Sequence, residues 1–296
     1  MAVGTDQARR YCVGRRPAAA LLGLAMSSLA DCTQTLADET RFLVYYGRND
    51  DPEVGSYDVA VLDCEAEAAI LARRRPEATF LGYVSLGEAD SRRSYFREIA
   101  AQDLLIERNP NWPDAWFVDL RNARWNRLVV ERLVPAALSR GFQGVFLDTL
   151  DDAEFLQTRD PVRFAGMVDQ AARLVREIRR RFPTASIMVN RGYAVMPQVA
   201  GQIDMLLGES VRTTFSHADG SYSFVSDKDY EWQKNRMREA RRLNPRLRLF
   251  SLDYWDPDDR KGIARIYVEQ RANGFIPYVA TPDLTRIVPP PEETMP

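Results

Sequence analysis

Short apolar runs alternate with longer amphipathic stretches along the chain from residue 40 onward. Eight of these runs have the length and the β-branched or aromatic content of buried strands. They span residues 42–46, 58–63, 80–85, 144–148, 186–190, 204–208, 248–253 and 275–279. Strands that are apolar on both faces and separated by helices are typical of a parallel sheet.

The intervening stretches repeat apolar residues every three or four positions and carry arginines on the opposite face, which predicts helices. The clearest span residues 123–140, 161–182, 227–243 and 258–273. Eight strands with helices between them over about 250 residues predict a single α/β domain, a (β/α)8 TIM barrel, which we place at 41–288. An extra strand is predicted at 116–120, and a proline-rich tail follows at 289–296.

Residues 1–30 have the pattern of a secretory signal peptide. Two arginine pairs precede an apolar run at 17–26, and the small residues Ser28 and Ala30 follow at the −3 and −1 positions of a cleavage site. The apolar run is shorter than the roughly 20 residues that span a bilayer, so no stable membrane span is expected. We predict cleavage after Ala30, export to the periplasm or beyond, and a linker over 31–40.

Two cysteines leave alternatives open. A lipoprotein anchor at Cys32 is disfavoured because Asp31 stands where a small residue is expected. Cys32 and Cys64 could pair in an oxidising compartment, and one tail thiol with one buried thiol fits the sequence at least as well.

The amino-acid composition limits the ligands and the catalytic groups that this chain can use. The 40 basic and 42 acidic residues give a formal net charge of −2, which offers no basic footprint for nucleic acid. His217 is the single histidine among 296 residues, so a multi-histidine metal site is excluded. No metal or cofactor is expected, and carboxylates are the natural carriers of any catalysis.

The carboxyl ends of the predicted strands are rich in acids and aromatic rings. In a TIM barrel this edge holds the active site. Helix capping explains Asp151, Asp152 and Asp258 equally well, but it does not explain acids at four or five strand ends. The residues at or just after these ends are Tyr46, Asp63, Ser85, Glu88, Asp148, Asn190, Arg191, Glu209, Asp253, Tyr254, Trp255 and Tyr278.

Asp148 and Glu209 are the preferred catalytic pair. They end the fourth and sixth strands, and side chains of even-numbered strands share layers of the barrel. Two carboxylates flanking a bond are the minimal equipment for glycoside hydrolysis. Aromatic rings near them, among which Tyr46, Tyr83 and Tyr254 are candidates, would supply flat faces for sugars.

Seven short strings carry a family resemblance over residues 42–288. They are YYG (45–47), GYVSLGE (82–88), GVFLDTLDD (144–152), NRGY (190–193), GES (208–210), LDYW (252–255) and GFIPYVA (274–280). In this order they resemble the hydrolase domain of the Pel-polysaccharide enzymes and the endo-α-1,4-polygalactosaminidases, that is, glycoside hydrolase families 166 and 114.

The resemblance implies a retaining, endo-acting barrel enzyme for α-1,4-linked galactosamine or N-acetylgalactosamine polymers. It places the catalytic pair on Asp148 and Glu209. It also implies pocket-lining roles at matching motif positions, which are Tyr46, Tyr83, Glu88, Asn190, Arg191, Asp253 and Tyr278. Tyr254 joins this predicted substrate-binding group as an aromatic ring at the end of the seventh strand, beside the catalytic pair.

In the expected mechanism Asp148, which donors such as Arg191 keep ionised, attacks the anomeric carbon. Protonated Glu209 donates its proton to the leaving oxygen. Carboxyl groups about 5–5.5 Å apart would indicate retention and about 6.5–9.5 Å inversion. An acidic rim suits a partly deacetylated, cationic polymer, and solvated acidic loops explain it equally well. The rim residues are Glu88, Asp90, Asp151, Asp152 and Asp256.

The long loop at 210–227 is expected to form one wall of a substrate groove, with His217 as a loop residue rather than a catalyst. Two rival functions remain open. One is a carbohydrate-binding barrel without turnover, and the other is a hydrolase or transglycosidase for a different polysaccharide.

Overall fold

The computed structural model describes residues 40–47 and 50–291, which form an eight-stranded parallel sheet with helices between the strands. The sheet curves until its first and eighth strands lie side by side, so it is a nearly closed barrel. The predicted TIM barrel is therefore confirmed. In chain order the barrel strands are Phe42–Tyr45, Val59–Leu62, Thr79–Ser85, Gly144–Asp148, Ser186–Asn190, Met205–Glu209, Arg248–Tyr254 and Ile276–Ala280.

The helices pack around the outside of the barrel. The α-helices are Ala68–Ala72, Phe96–Ala100, Ala123–Leu128, Val134–Ser139, Asp151–Arg159, Met167–Arg181, Met196–Val199, Asp227–Leu243 and Arg260–Ala272. Short 3₁₀ turns lie at Pro52–Ser56, Tyr193–Val195 and Ala200–Gln202. No helix within the described ranges is long and apolar enough to cross a membrane.

Two predicted helices differ from the structure for local reasons. The stretch predicted at 123–140 is interrupted by a π-helical turn, Val129–Leu133, just before Pro135. Proline has no N–H to donate within a helix, and the widened turn accommodates it. The helix predicted from 161 begins only at Met167, after Gly166 adopts a left-handed φ of 83°.

Two insertions rise from the carboxyl end of the barrel. After the third strand, Glu88–Asp90, Leu105–Arg108 and Ala115–Val118 form a three-stranded antiparallel sheet, which contains the extra predicted strand. After the sixth strand, Thr213–Ser216 and Ser221–Phe224 form an antiparallel hairpin within the long loop. Both insertions stand at the edge where the active site of such a barrel lies.

The barrel interior is filled by interlocking aromatic rings. Phe42 of the first strand lies 4.7 Å from the ring of Phe250 and 6.3 Å from that of Tyr278, measured between ring centroids. Trp125, which is fully buried outside the barrel wall, donates its indole N–H to the carbonyl of Leu86 at 2.9 Å. This packing fixes the third, seventh and eighth strands, whose ends carry candidate site residues.

The predicted signal peptide, linker and tail end lie largely outside the described residues, as does Cys32. The Cys64 thiol is half-buried, and burial raises its pKa to about 11.

Gly144 offers a test of how tightly the fourth and fifth strands approach. A Cβ at this position would overlap the carbonyl oxygen of Ser186 on the neighbouring strand. We expect Gly144→Ala to lower the free energy of unfolding by at least about 2 kcal/mol, because overpacking against backbone forces the strands apart. Denaturant unfolding followed by circular dichroism measures this change.

Gly201→Ala is the matched control, since nothing lies within 4 Å of its added Cβ. It should be neutral or slightly stabilising, by up to about 1 kcal/mol. Equal stability of the two variants would contradict the close approach at Gly144.

Candidate active site

Three consecutive barrel strands end in side chains that meet at the barrel mouth. Asp148 ends the fourth strand, Asn190 the fifth and Glu209 the sixth. The amide nitrogen Nδ2 of Asn190 donates to Asp148 Oδ1 at 2.9 Å and to Glu209 Oε2 at 2.6 Å. Because both bonds share one nitrogen, these two carboxylate oxygens lie at most about 5.5 Å apart.

Each carboxylate has further donors of its own. The backbone N–H of Thr149 donates to Asp148 Oδ1 at 2.8 Å, and the Tyr83 hydroxyl also bonds to Asp148. The Tyr254 hydroxyl donates to Glu209 Oε1 at 2.6 Å. Burial, followed by the nearby carboxylates, raises the pKa of Tyr83 and of Tyr254 well above the usual value, so both remain protonated donors.

The pKa of Asp148 is raised well above the usual value of an aspartate. Burial, and then the negative charge of Glu209, raises the pKa of Asp148 to about 7, against the opposing effect of the Asn190 and Thr149 donors. Arg191 contributes less than the sequence predicts. Its Nε lies 3.7 Å from Asp151, and amide and hydroxyl groups bond to Asp148 instead.

The residue after each of these three side chains has an unusual backbone conformation. Thr149, Arg191 and Ser210 have φ values of 63°, 49° and 51°, which are left-handed and unfavourable for residues other than glycine. Such conformations persist where surrounding contacts hold them, and they cluster at functional sites. The carboxyl ends of these strands therefore turn sharply just beyond Asp148, Asn190 and Glu209.

Two residues that hold these turns are missing from the sequence prediction. The Thr149 hydroxyl accepts the N–H of Gly87 at 2.8 Å and thereby ties the fourth strand to the third. Gln233 donates to the carbonyl of Ser210 at 2.8 Å and accepts from the Tyr193 hydroxyl at 2.9 Å. Gln233 could have been found as a polar residue on the buried stripe of its helix, which it shares with Lys234.

Glu88 lies at the side of this centre rather than within it. It is buried, and the amide of Asn109 donates to its carboxylate. Burial, and then the charge of Glu88, raises the pKa of the neighbouring Asp152 to about 9, and burial also raises that of Glu88. Asp152 is therefore protonated at neutral pH.

Asp253 and Tyr278 lie beneath the mouth. Both are 0% exposed, whereas their motif positions predict pocket-lining roles. Asp253 Oδ1 accepts the backbone N–H groups of Arg212 and Thr213 at 2.6 and 2.8 Å, so it anchors the start of the hairpin after the sixth strand. The Tyr278 hydroxyl accepts the N–H of Val288 at 3.2 Å. The contacts that the structure shows for both side chains are internal, and their expected substrate contact stays a prediction.

Tyr46 remains at the mouth. It is half-buried, and its ring meets that of Tyr83 edge to face at 5.4 Å. Burial, and then the charges of Asp148 and Glu209, raises the pKa of Tyr46 well above the usual value. Across residues 40–47 and 50–291, no three His, Cys, Asp or Glu side chains are grouped to hold a metal ion.

Asp253→Ala tests the anchoring role of Asp253. The substitution leaves two backbone N–H groups without their acceptor, and we expect the free energy of unfolding to fall by at least about 2 kcal/mol. Asp253→Asn keeps an oxygen for both groups, and its amide can donate to the unpartnered Oε1 of a reoriented Gln270. That variant should stay within about 1 kcal/mol of wild type in urea unfolding. Equal losses in both variants would indicate that the charge, not the anchor, matters.

Asp148→Asn should stabilise the fold above neutral pH. Because the folded-state pKa of Asp148 is raised to about 7, its ionisation opposes folding, and stability falls as pH rises from about 4 to 7. The variant lacks this effect, so its unfolding temperature should exceed that of wild type at pH 8, by a free energy of at most about 4 kcal/mol. The difference should vanish near pH 4. A variant less stable than wild type at pH 8 would contradict the shift.

Comparison with known proteins places this geometry in a family. The profile of glycoside hydrolase family GH114 matches residues 26–295. An uncharacterised protein of Thermotoga maritima is 26% identical over 289 residues, which cover 86% of this chain and 87% of that protein.

Two solved structures share the fold. The glycoside hydrolase domain of PelA from Pseudomonas aeruginosa has a TM-score of 0.74 and 23% identity, covering 83% of this chain and 96% of that one. Aspergillus fumigatus Ega3, solved in complex with galactosamine, has a TM-score of 0.61 and 15% identity, covering 84% and 94%. Since the family profile spans nearly the whole chain, the protein is a glycoside hydrolase and belongs to family GH114.

Proposed function

We propose that the protein is an exported, endo-acting, retaining hydrolase of α-1,4-linked galactosamine or N-acetylgalactosamine polysaccharide. Asp148 is the nucleophile and Glu209 the acid and base. The observation that carries this proposal is the shared hydrogen bond of Asn190, which holds both carboxylates at the mouth of the barrel.

The spacing of the two carboxylates supports retention. Retaining glycosidases hold their carboxyl groups about 5–5.5 Å apart, whereas inverting enzymes leave about 6.5–9.5 Å for a water molecule. The bonds to Asn190 keep the bonded oxygens of Asp148 and Glu209 within about 5.5 Å. A water molecule between acid and base therefore has too little room, and direct attack by a carboxylate is favoured.

In the first step an oxygen of Asp148 attacks the anomeric carbon while the bond from that carbon to the leaving oxygen breaks. Glu209 transfers its proton to the leaving oxygen. The single proton of the acid pair must then lie on Glu209, and the donors from Thr149, Tyr83 and Asn190 favour ionised Asp148. The product is a glycosyl ester on Asp148.

In the second step water replaces Asp148 at the anomeric carbon. Glu209 takes a proton from this water, the bond to Asp148 breaks, and the original configuration is restored. The Tyr254 hydroxyl, which bonds to Glu209 Oε1, orients the carboxylate in both steps. The oxygen of the Asn190 amide, Oδ1, is buried and has no hydrogen-bond partner among the described residues.

The sugar identity rests on the family and on Ega3, whose structure contains galactosamine. A partly deacetylated polymer is cationic, and the accessible rim acids Asp90, Asp151 and Asp256 would attract it, whereas Asp152 is protonated and uncharged at neutral pH. Loss of polymer binding on adding salt would favour this role over simple solvation of acidic loops. Export rests on the sequence pattern of residues 1–30 alone.

The proposed function predicts that the protein cleaves defined α-1,4-galactosamine oligomers. Mass spectrometry of the products at several acetylation levels measures the cleavage pattern, and NMR identifies the anomer that forms first. We expect internal cleavage and an α product. Asp148→Asn and Glu209→Gln should each lower kcat/KM at least about a hundredfold. The pKa of about 7 marks the loss of the one proton that the pair holds, and without it no acid serves the leaving oxygen, so kcat/KM of wild type should fall above about pH 7.

A second substrate distinguishes the nucleophile role of Asp148 from the acid role of Glu209. An aryl α-galactosaminide with a good leaving group needs no acid for its first step, so Glu209→Gln should still form the glycosyl ester and Asp148→Asn should not. Glu177→Gln on an outer helix is the control for charge loss. A β product would show inversion. Near wild-type activity of Asp148→Asn would refute Asp148 and Glu209 as the catalytic pair. Polymer binding without new reducing ends would support a non-catalytic barrel.

A further inference from the structure

A continuous row of aromatic rings crosses the carboxyl end of the barrel. Trp112 meets the imidazole of His217 edge to face at 5.2 Å, and His217 meets Phe215 at 5.1 Å. Phe215 then contacts Tyr222 at 5.0 Å, and Tyr222 contacts Trp255 at 6.2 Å. The row therefore joins the insertion after the third strand to the end of the seventh strand.

The contact between Trp112 and His217 joins two loops that are distant in sequence. Trp112 lies in the insertion after the third barrel strand, and His217 lies at the turn of the hairpin after the sixth. The strands between them, the fourth and fifth, end in Asp148 and Asn190. The bridge thus spans the sector of the rim that holds the catalytic carboxylates.

Both ends of the bridge are fixed by buried carboxylates. Glu88 accepts from the amide of Asn109, whose own Oδ1 accepts the N–H of Asn111 at 2.8 Å, directly before Trp112. On the other side Asp253 anchors the first residues of the hairpin that carries His217. Internal hydrogen bonds therefore hold the two loops in position to meet.

Core packing does not account for Trp112, because 53% of its side chain remains exposed. An exposed indole at the rim of a carbohydrate site offers a flat apolar face, which is what a sugar ring binds. Trp232 is similarly exposed, at 47%, but it lies on the helix Asp227–Leu243, where its ring meets that of Tyr193 edge to face at 5.5 Å. The two tryptophans form a natural comparison.

We propose that Trp112 and His217 form a strap that binds the polysaccharide chain beyond the two sugars at the cleavage point. The strap covers one side of the mouth and holds sugar units that a short substrate lacks. This inference rests on the proposed function, since its ligand is the α-1,4-linked galactosamine polymer. It assigns polymer binding to a pair of side chains outside the catalytic machinery.

Kinetics on long and short substrates test the strap. Trp112→Ala and His217→Ala should each raise KM for the polymer roughly tenfold, the size of one lost aromatic contact. Turnover of an aryl α-galactosaminide, which cannot reach the strap, should stay unchanged. Trp232→Ala should alter neither value. Unchanged polymer KM in Trp112→Ala, or an equal loss on both substrates, would overturn the proposal.

NMR gives a readout that does not require turnover. His217 is the single histidine, so the imidazole signals of tag-free protein come from one residue. In the Asp148→Asn variant, adding an α-1,4-galactosamine hexasaccharide should shift the His217 signals, whereas adding free galactosamine should not. Trp112→Ala should abolish the ring-current shift that the indole causes in the His217 signals. If wild type leaves the polymers intact, the proposed function fails; cleaved polymers with unshifted His217 signals contradict the strap alone.

Discussion

Two carboxylates held within about 5.5 Å of one another in a buried site repel, and burial adds a cost for each charge. The Asn190 amide meets this constraint by placing one nitrogen between Asp148 and Glu209. It can do so only because the fifth strand lies between the fourth and the sixth at the same edge of the sheet. The spacing of the two acids therefore depends on a single side chain, which the order of the strands places between them.

The sequence predicts the parts of this arrangement that follow from topology. Parallel strands all end at one edge, so the last residue of each apolar run identifies what can meet there. Asp148, Asn190 and Glu209 are found in this way, and the eight barrel strands are confirmed with ends within about two residues of those predicted. The family resemblance adds which acids to pair, and the periodicity adds the outer helices.

The order of the strands does not predict how deeply a side chain at a strand end is buried, or the backbone conformation just after that end. Asp253 ends a strand as Asp148 does, yet the chain at Arg212, which precedes it by 41 positions, folds back to cover it. No periodic pattern reports such a long-range hydrogen bond. Thr149 and Ser210 likewise adopt left-handed backbone without a glycine to mark the turn. In each case tertiary contacts decide what local sequence preference leaves undetermined.

The three left-handed residues after Asp148, Asn190 and Glu209 have a consequence for how this chain can change over time. Each costs of order 1 kcal/mol relative to glycine, and Thr149, being β-branched, is the most strained. Selection for thermal stability alone would replace such residues by glycine, whereas selection for the fixed positions of Asp148, Asn190 and Glu209 would retain them. The candidate active site is thus where the demands of stability and activity oppose each other.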